Sequence, residues 1–220
     1  MYNDITGIIL SGGKSTRMGL NKSFLKIGNQ TIIERTAELM KGLFDHILLI
    51  TNKPDEYEFL GLEIFEDIYK NVGPLAGIHS GLTHSATEKN FIISCDMPFV
   101  NKGVIEYIIN YKSDKLITIT KADGFIQQLC GLYSKQVLPE IVELIEENKS
   151  NIVDTDQQKK CGCKVLQLVE NLNAEIIDIA NEYDRYGEGM FLNLNKPEDF
   201  EIVKDRLKGQ FVYPALKRVL

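Results

Sequence analysis

Short apolar runs alternate along this chain with segments whose apolar residues recur at helical spacing. Residues 5–10, 46–50 and 91–94 read as buried strands, while 31–44 and 75–85 read as helices. In the first helix Ile32, Ile33, Thr36, Leu39, Met40 and Leu43 make one stripe, leaving Glu34, Arg35, Glu38 and Lys41 to face water. This alternation predicts parallel strands joined by crossover helices, and so a layered α/β fold. The second half is less regular. It predicts strands at 116–120, 128–133, 175–179 and 191–194, with helices at 136–148 and after Pro197. No repeat, low-complexity tract or Pro/Gly/Ser linker divides the chain, so one domain is expected over 1–220. The polar stretches 148–163 and 184–189 read as loops, the usual carriers of ligand contacts. The tail after Gly209 is given no function.

Composition narrows the partners. An apolar fraction of 44% and a charged fraction of 25% fit a globular chain with a sizeable core rather than a disordered one. A net charge of −6 disfavours a polynucleotide, whose phosphates call for a broad basic surface. A small anion needs only a local positive pocket, and Lys14, Arg17 and Lys22 occur with no acidic residue between them. The first residues lack the basic and apolar regions of a signal peptide, and no apolar run could span a bilayer, so a cytoplasmic protein is expected. Cys95 and Cys130 sit in apolar runs; Cys161 and Cys163 lack the second pair of a zinc site, and all four read as plain thiols. His46, His79 and His84 are scattered and form no ligand set.

The first apolar run leads into Ser11-Gly12-Gly13-Lys14-Ser15-Thr16-Arg17-Met18-Gly19. Glycines directly after a strand let backbone N–H groups approach phosphate oxygens, since no Cβ intervenes. Arg17 can fork two oxygens and Lys22 can act as a point charge, which suits a triphosphate. Gly13-Lys14-Ser15 resembles the end of a P-loop, but Ile8 stands where that motif needs Gly. Gly12, Gly13 and Gly19 also miss the G-x-G-x-x-G spacing of a dinucleotide site.

Further along, Asn90-Phe91-Ile92-Ile93-Ser94-Cys95-Asp96-Met97-Pro98 places a carboxylate where a buried strand ends. Open α/β sheets bind ligands at the carboxyl ends of their strands, so Asp96 and the glycine loop should converge. There Asp96 can hold Mg²⁺ beside a triphosphate or, alternatively, cap the helix that follows. Asp67 precedes Gly73-Pro74-Leu75-Ala76-Gly77-Ile78, whose small residues permit close approach to a ligand or simply form a helix entry. Asn52, at another strand end, can bond a base or start a turn. Asn193 and Asn195 either face the metal pocket together or serve the start of the helix at Pro197.

Together, Leu10 to Gly19 with Asn21-Lys22, Gly73 to Ile78, Cys95 to Pro98 and Asn193 to Asp199 resemble the molybdenum cofactor guanylyltransferase family of nucleotidyltransferases. The loop motif is shared across that superfamily, whereas the second and third motifs in this order are more specific. The resemblance spans about residues 5–207 and is weak over 110–190. It implies a Rossmann-like three-layer α/β/α domain with a mostly parallel mixed central sheet, its nucleotide-binding part over about 1–110 and its acceptor and metal side over about 111–208. It also implies nucleotide contacts from Leu10, Ser11, Gly12, Lys22, Asn52, Asp67 and Asp96, with Mg²⁺ on Asp96; residue chemistry adds Gly13 and Gly77 as nucleotide contacts, Arg17 beside Lys22 and Asp96 in catalysis, and Asn193 and Asn195 as further metal candidates. The implied substrates are GTP and molybdopterin or molybdenum cofactor; cofactor-biosynthesis and acceptor enzymes are the implied protein partners. Ser11 replaces the family's common Ala, Asn21 its Asp, and Lys196 its Thr.

The expected reaction is attack by an acceptor phosphate oxygen on the α-phosphorus of GTP, with pyrophosphate leaving. The rivals are a cytidylyl- or sugar-phosphate nucleotidyltransferase and a noncatalytic nucleotide-binding protein. Base selectivity separates the first, and binding without pyrophosphate release would mark the second. Lys159, Lys160 and Lys164 are acceptor candidates, set against a solvated basic face.

Overall fold

A computed structural model describes residues 1–12, 21–150, 165–195 and 197–210. Gly13, Arg17 and the residues between them, together with Lys159, Lys160, Cys161, Cys163, Lys164 and Lys196, lie outside the described residues.

The chain opens with β1 (Tyr2–Leu10), followed by a small hairpin of β2 (Lys26–Ile27) and β3 (Gln30–Thr31). Helix α1 (Ile32–Lys41) starts where Thr31 accepts the Glu34 N–H at 3.3 Å while the Glu34 carboxylate takes the Thr31 N–H at 2.6 Å. This reciprocal box satisfies donors that the first helical turn leaves unpaired. Then come β4 (Phe44–Ile50), β5 (Glu63–Phe65), α2 (Pro74–His84), β6 (Lys89–Ser94), α3 (Lys102–Ile109), β7 (Ile117–Ala122) and β8 (Phe125–Ser134). The β7–β8 turn at Asp123 and Gly124 has both φ angles positive, 51° and 82°, as a tight two-residue hairpin requires. The remainder is α4 (Leu138–Ser150), α5 (Val165–Asn171), β9 (Glu175–Asp178), α6 (Ile179–Glu182) and α7 (Pro197–Gln210).

Among the described residues, seven strands form the main sheet in the order β5-β4-β1-β6-β8-β7-β9. Neighbours run parallel except where β8 lies antiparallel between β6 and β7. The expected layered, mostly parallel mixed sheet is therefore present. Strand alternation divides its core in two. Ile5 and Ile9 join Ile33, Met40, Val104 and Ile108 on one face, whereas Ile8 and Leu10 join Leu75, Ile78, Leu82, Ile141 and Leu168 on the other. Gly81 brings α2 close to the sheet, since a Cβ there would lie 2.6 Å from Ile8 Cγ2.

One sequence expectation is corrected. Residues 191–194 form no strand: the Met190 N–H bonds the Gly187 carbonyl and the Leu192 N–H bonds that of Gly189, so the segment is turned. The alternation of Leu192, Asn193, Leu194 and Asn195 imitated a strand, but ladder pairing requires a neighbour whose backbone is free.

Candidate functional site

Because β1 has β4 on one side and β6 on the other, the chain reverses its direction of travel across the sheet at β1. Such a switch point opens a crevice at the carboxyl ends of the strands. Here the ends are tied together: Ser11 N–H donates to the Ile50 carbonyl at 2.9 Å, Thr51 N–H to that of Phe65 at 2.9 Å, and Cys95 N–H to that of Leu10 at 3.1 Å. Leu10, Ser11, Gly12, Asn52, Asp67 and Asp96 thus leave one edge of the sheet side by side. The described root of the glycine loop and Asp96 meet there.

Asp96 is half-buried, and its Oδ1 accepts the Ser94 hydroxyl at 2.5 Å. Capping of α3 falls instead to Asn101, whose side chain accepts the Val104 N–H at 3.2 Å. The alternative role foreseen for Asp96 is therefore filled by another residue, and the carboxylate remains at the crevice. Its backbone carbonyl accepts the Leu194 N–H at 3.0 Å, while the Lys22 ammonium donates to the Leu194 carbonyl at 2.5 Å. A single residue thereby joins the turn bearing Lys22 to the strand end bearing Asp96. Asn193 and Asn195 flank that bridge. The Asn193 amide bonds the Phe191 carbonyl, and the Asn195 N–H bonds the Asp199 carboxylate at 2.8 Å.

A second group forms on the β4–β5 side. Asn52 Nδ2 donates to Asp67 Oδ2 at 2.6 Å, and Lys70 Nζ donates to Asn52 Oδ1 at 3.0 Å. Lysine can only donate and an ionised carboxylate can only accept, so the two partners fix the orientation of the amide. Lys70 also pairs with Glu66. Burial raises the Asp67 pKa above its ordinary value, opposed by the Asn52 hydrogen bond and the Lys70 charge. Gly77 closes this corner: a Cβ there would lie 3.3 Å from Leu10 Cδ2 and 3.7 Å from Asp67 Oδ1.

Ser11 differs from the picture of an outward-facing loop residue. Its hydroxyl is buried against Ser23 and Tyr57, and its N–H is committed to Ile50, whereas Gly12 is exposed with open space where a Cβ would stand. Four participants went unforeseen from sequence: Ser23, Tyr57, Lys70 and Leu194. Tyr57 carried a faint signal as an aromatic residue among Asp55, Glu56 and Glu58; Leu194 carried none, because it acts through its backbone. Among the described residues no three His, Cys, Asp or Glu side chains gather as a metal-ligand group, and no helix is long and apolar enough to cross a membrane. Cys95 and Cys130 are buried free thiols, with burial pushing them up to about 11 and about 12.

The crevice thus gathers the backbone of the glycine-loop root, the Lys22 turn and the Asp96 strand end, the last two tied together by Leu194, with the Asn52–Asp67 amide–carboxylate pair at its flank. Residues 7–160 match the model of the MobA-like NTP transferase domain. A Clostridium perfringens protein named "Probable molybdenum cofactor guanylyltransferase" is 40% identical over 148 residues, covering 67% of this chain and 74% of the relative. One of the same name from Carboxydothermus hydrogenoformans is 33% identical over 201 residues, covering 90% and 94%. The fold is also that of the crystal structure of molybdopterin-guanine dinucleotide biosynthesis protein A from Archaeoglobus fulgidus, with a TM-score of 0.74 at 23% identity, covering 93% of this chain and 99% of that one.

Proposed function

Since the chain belongs to the MobA-like NTP transferase family and is a nucleotidyltransferase, we propose that it transfers GMP from GTP to the terminal phosphate of molybdopterin and releases pyrophosphate. The observation that supports this reading best is the Leu194 bridge, which ties the turn bearing Lys22 to the strand end bearing Asp96 beside the root of the glycine loop.

A phosphomonoester has a second pKa of about 6, so the attacking oxygen is already ionised near neutrality and needs no general base. The oxygen bonds to the α-phosphorus as the bond to the β-phosphate oxygen breaks, and the electron pair leaves with pyrophosphate. The protein's task is to bring two anions together and stabilise the charge that develops. Lys22 and Arg17 supply positive charge, while Gly12 and Gly13 admit phosphate oxygens to the backbone. Asn52 and Asp67, hydrogen-bonded to each other at the flank of the crevice, are the residues assigned to the base. The N1–H and amino group of guanine are adjacent donors, and an ionised Asp67 offers the matching acceptors.

Asp96 fits a magnesium ion by donor chemistry: it is a hard oxygen ligand that does not cap a helix, and Mg²⁺ usually takes one or two carboxylates with phosphate and water completing its shell. When bound there the ion would supply charge neutralisation between the phosphates. Asn193 and Asn195, beside the bridge, are the further candidates to face that ion.

The test is to incubate the protein with GTP, Mg²⁺ and molybdopterin and to assay pyrophosphate and the guanylated product. Thermal stabilisation by GTP, and not by CTP, ATP or UTP, should accompany turnover, because a ligand of the native state raises its stability. Turnover with CTP in place of GTP would refute the guanylyl assignment, and selective GTP binding without pyrophosphate release would refute the transferase assignment.

A further inference from the structure

Under the crevice lies a chain of three hydroxyl groups and one thiol from four separate segments. Ser11 Oγ donates to the Tyr57 hydroxyl at 2.8 Å and lies 2.9 Å from Ser23 Oγ. A serine has one proton to give. With the Ser11 proton on Tyr57, Ser23 must be the donor in the Ser23–Ser11 contact. Cys95 Sγ lies 3.2 Å from Ser23 Oγ and donates its thiol proton to Ser11 Oγ at 3.5 Å. At the other end Asn21 Nδ2 donates to the Tyr57 hydroxyl at 2.9 Å. Hydrogen bonding therefore converges on Ser11 from Ser23 and Cys95 and passes on to Tyr57.

All four members of this chain are buried, with Ser11 and Tyr57 each 2% exposed. Three of them adjoin site residues in sequence: Ser11 precedes Gly12, Ser23 follows Lys22, and Cys95 precedes Asp96. The turn that carries Lys22 is otherwise short. It is closed by the Phe24 N–H on the Asn21 carbonyl and the Leu25 N–H on the Lys22 carbonyl, each at 3.1 Å. Phe24 also packs on the Tyr57 ring, with centroids 5.0 Å apart. The turn is thus fixed to the sheet edge by Ser23, Asn21 and Phe24, and each of these touches the relay or the Tyr57 ring.

We propose that Ser11 and Tyr57 are positioning residues, whose buried hydroxyl relay holds the Lys22 turn in register with the glycine-loop root and Asp96. The inference rests on the reading that Lys22 meets the triphosphate. Misplacing a charged group by about 1 Å can lower a rate a hundredfold, so a loosened turn shows in catalysis before it shows in the fold.

The test compares Tyr57→Phe, which keeps the ring but removes the hydroxyl, with wild type and with Lys22→Ala. Turnover of GTP and Mg²⁺ with molybdopterin, per folded protein, should fall about tenfold in Tyr57→Phe, mostly in kcat rather than in KM. In the Lys22→Ala background the same substitution should change nothing further, because the relay acts through Lys22. An undiminished effect of Tyr57→Phe in that background would overturn the proposal. A second measurement does not depend on the substrate: amide hydrogen exchange at Phe24 and Leu25 should be about tenfold faster in Tyr57→Phe, with α5 unchanged. Unchanged exchange at both amides overturns the positioning role even if the protein transfers no GMP. Faster exchange in a protein without guanylyl transfer would instead leave the relay standing and remove the reading of the reaction. Should Tyr57→Phe fail to fold, Ser11→Ala removes only one buried oxygen, and the same kinetic and exchange outcomes apply to it.

Discussion

Replacing Asp96 by Asn separates the chemistry of this site from its architecture. The substitution keeps an Oδ1 acceptor for the Ser94 hydroxyl and leaves the backbone bond to Leu194 untouched. Asp96 is half-buried and caps no helix, so unfolding free energy should change by no more than about 0.5 kcal/mol. What disappears is the negative charge of the carboxylate assigned to Mg²⁺. Losing one electrostatic contact to a developing transition state typically costs about 2.7–4 kcal/mol, or roughly a hundred- to a thousandfold in rate. Pyrophosphate release at saturating GTP and acceptor, followed across a Mg²⁺ titration, reads the effect, and a thermal melt of the same sample checks the fold. Asp96→Ala should abolish turnover with an equally intact fold, since solvent can reach the Ser94 hydroxyl it abandons. An Asn variant that kept more than a tenth of wild-type turnover at equal Mg²⁺ would refute the argument and take the carboxylate out of the reaction.

Other outcomes follow from packing and charge. Gly81→Ala gains about 1 kcal/mol of helix propensity but drives a methyl group to 2.6 Å from Ile8 in the central strand, where overpacking costs about 1–3 kcal/mol. A net loss of about 1 kcal/mol in urea unfolding is expected, and a stabilised variant would mean that α2 can lift from the sheet. Thr31→Ala removes the hydroxyl half of the box at the start of α1 and should cost about 1 kcal/mol in the same assay; no loss would show that Glu34 alone suffices. The raised Asp67 pKa means that the folded protein takes up a proton at higher pH than the unfolded chain. Stability from this group therefore rises as pH falls from the raised value to the ordinary carboxylate range. Melting curves of Asp67→Asn should lack that increment, and a parallel pH dependence in both proteins would contradict the assignment.

The parts of the fold that could be read from sequence are those where one physical signal dominates. The strands now seen as β1, β4 and β6 are buried on both faces and show as apolar runs, and α1 carries a full stripe with its capping pair. The three-residue β5 is too short for a period, and α5 shows its buried Val165, Leu168 and Val169 over only two turns. The meeting of the strand ends followed from topology, because parallel strands joined by crossovers carry their loops to one edge. Residue-level wiring was less accessible. Whether Ser11 turns outward or inward depends on a tyrosine 46 positions away, and whether Asp96 caps a helix was decided by Asn101. The false strand at residues 191–194 has the same origin: alternation records which side chains are buried, but not whether a neighbouring backbone stands ready to pair.

Lys22 and Leu194 are 172 residues apart in sequence, which gives the site an order of assembly. During synthesis the lysine and the aspartate leave the ribosome early, while the residue that straps them together is still to be synthesised. A chain cut between α6 and Leu194 would have every strand of its main sheet, Lys22 and Asp96, yet nothing to tie the turn of the one to the strand end of the other. Competence should therefore arrive late and all at once, so that an unfinished protein has little opportunity to consume its nucleotide.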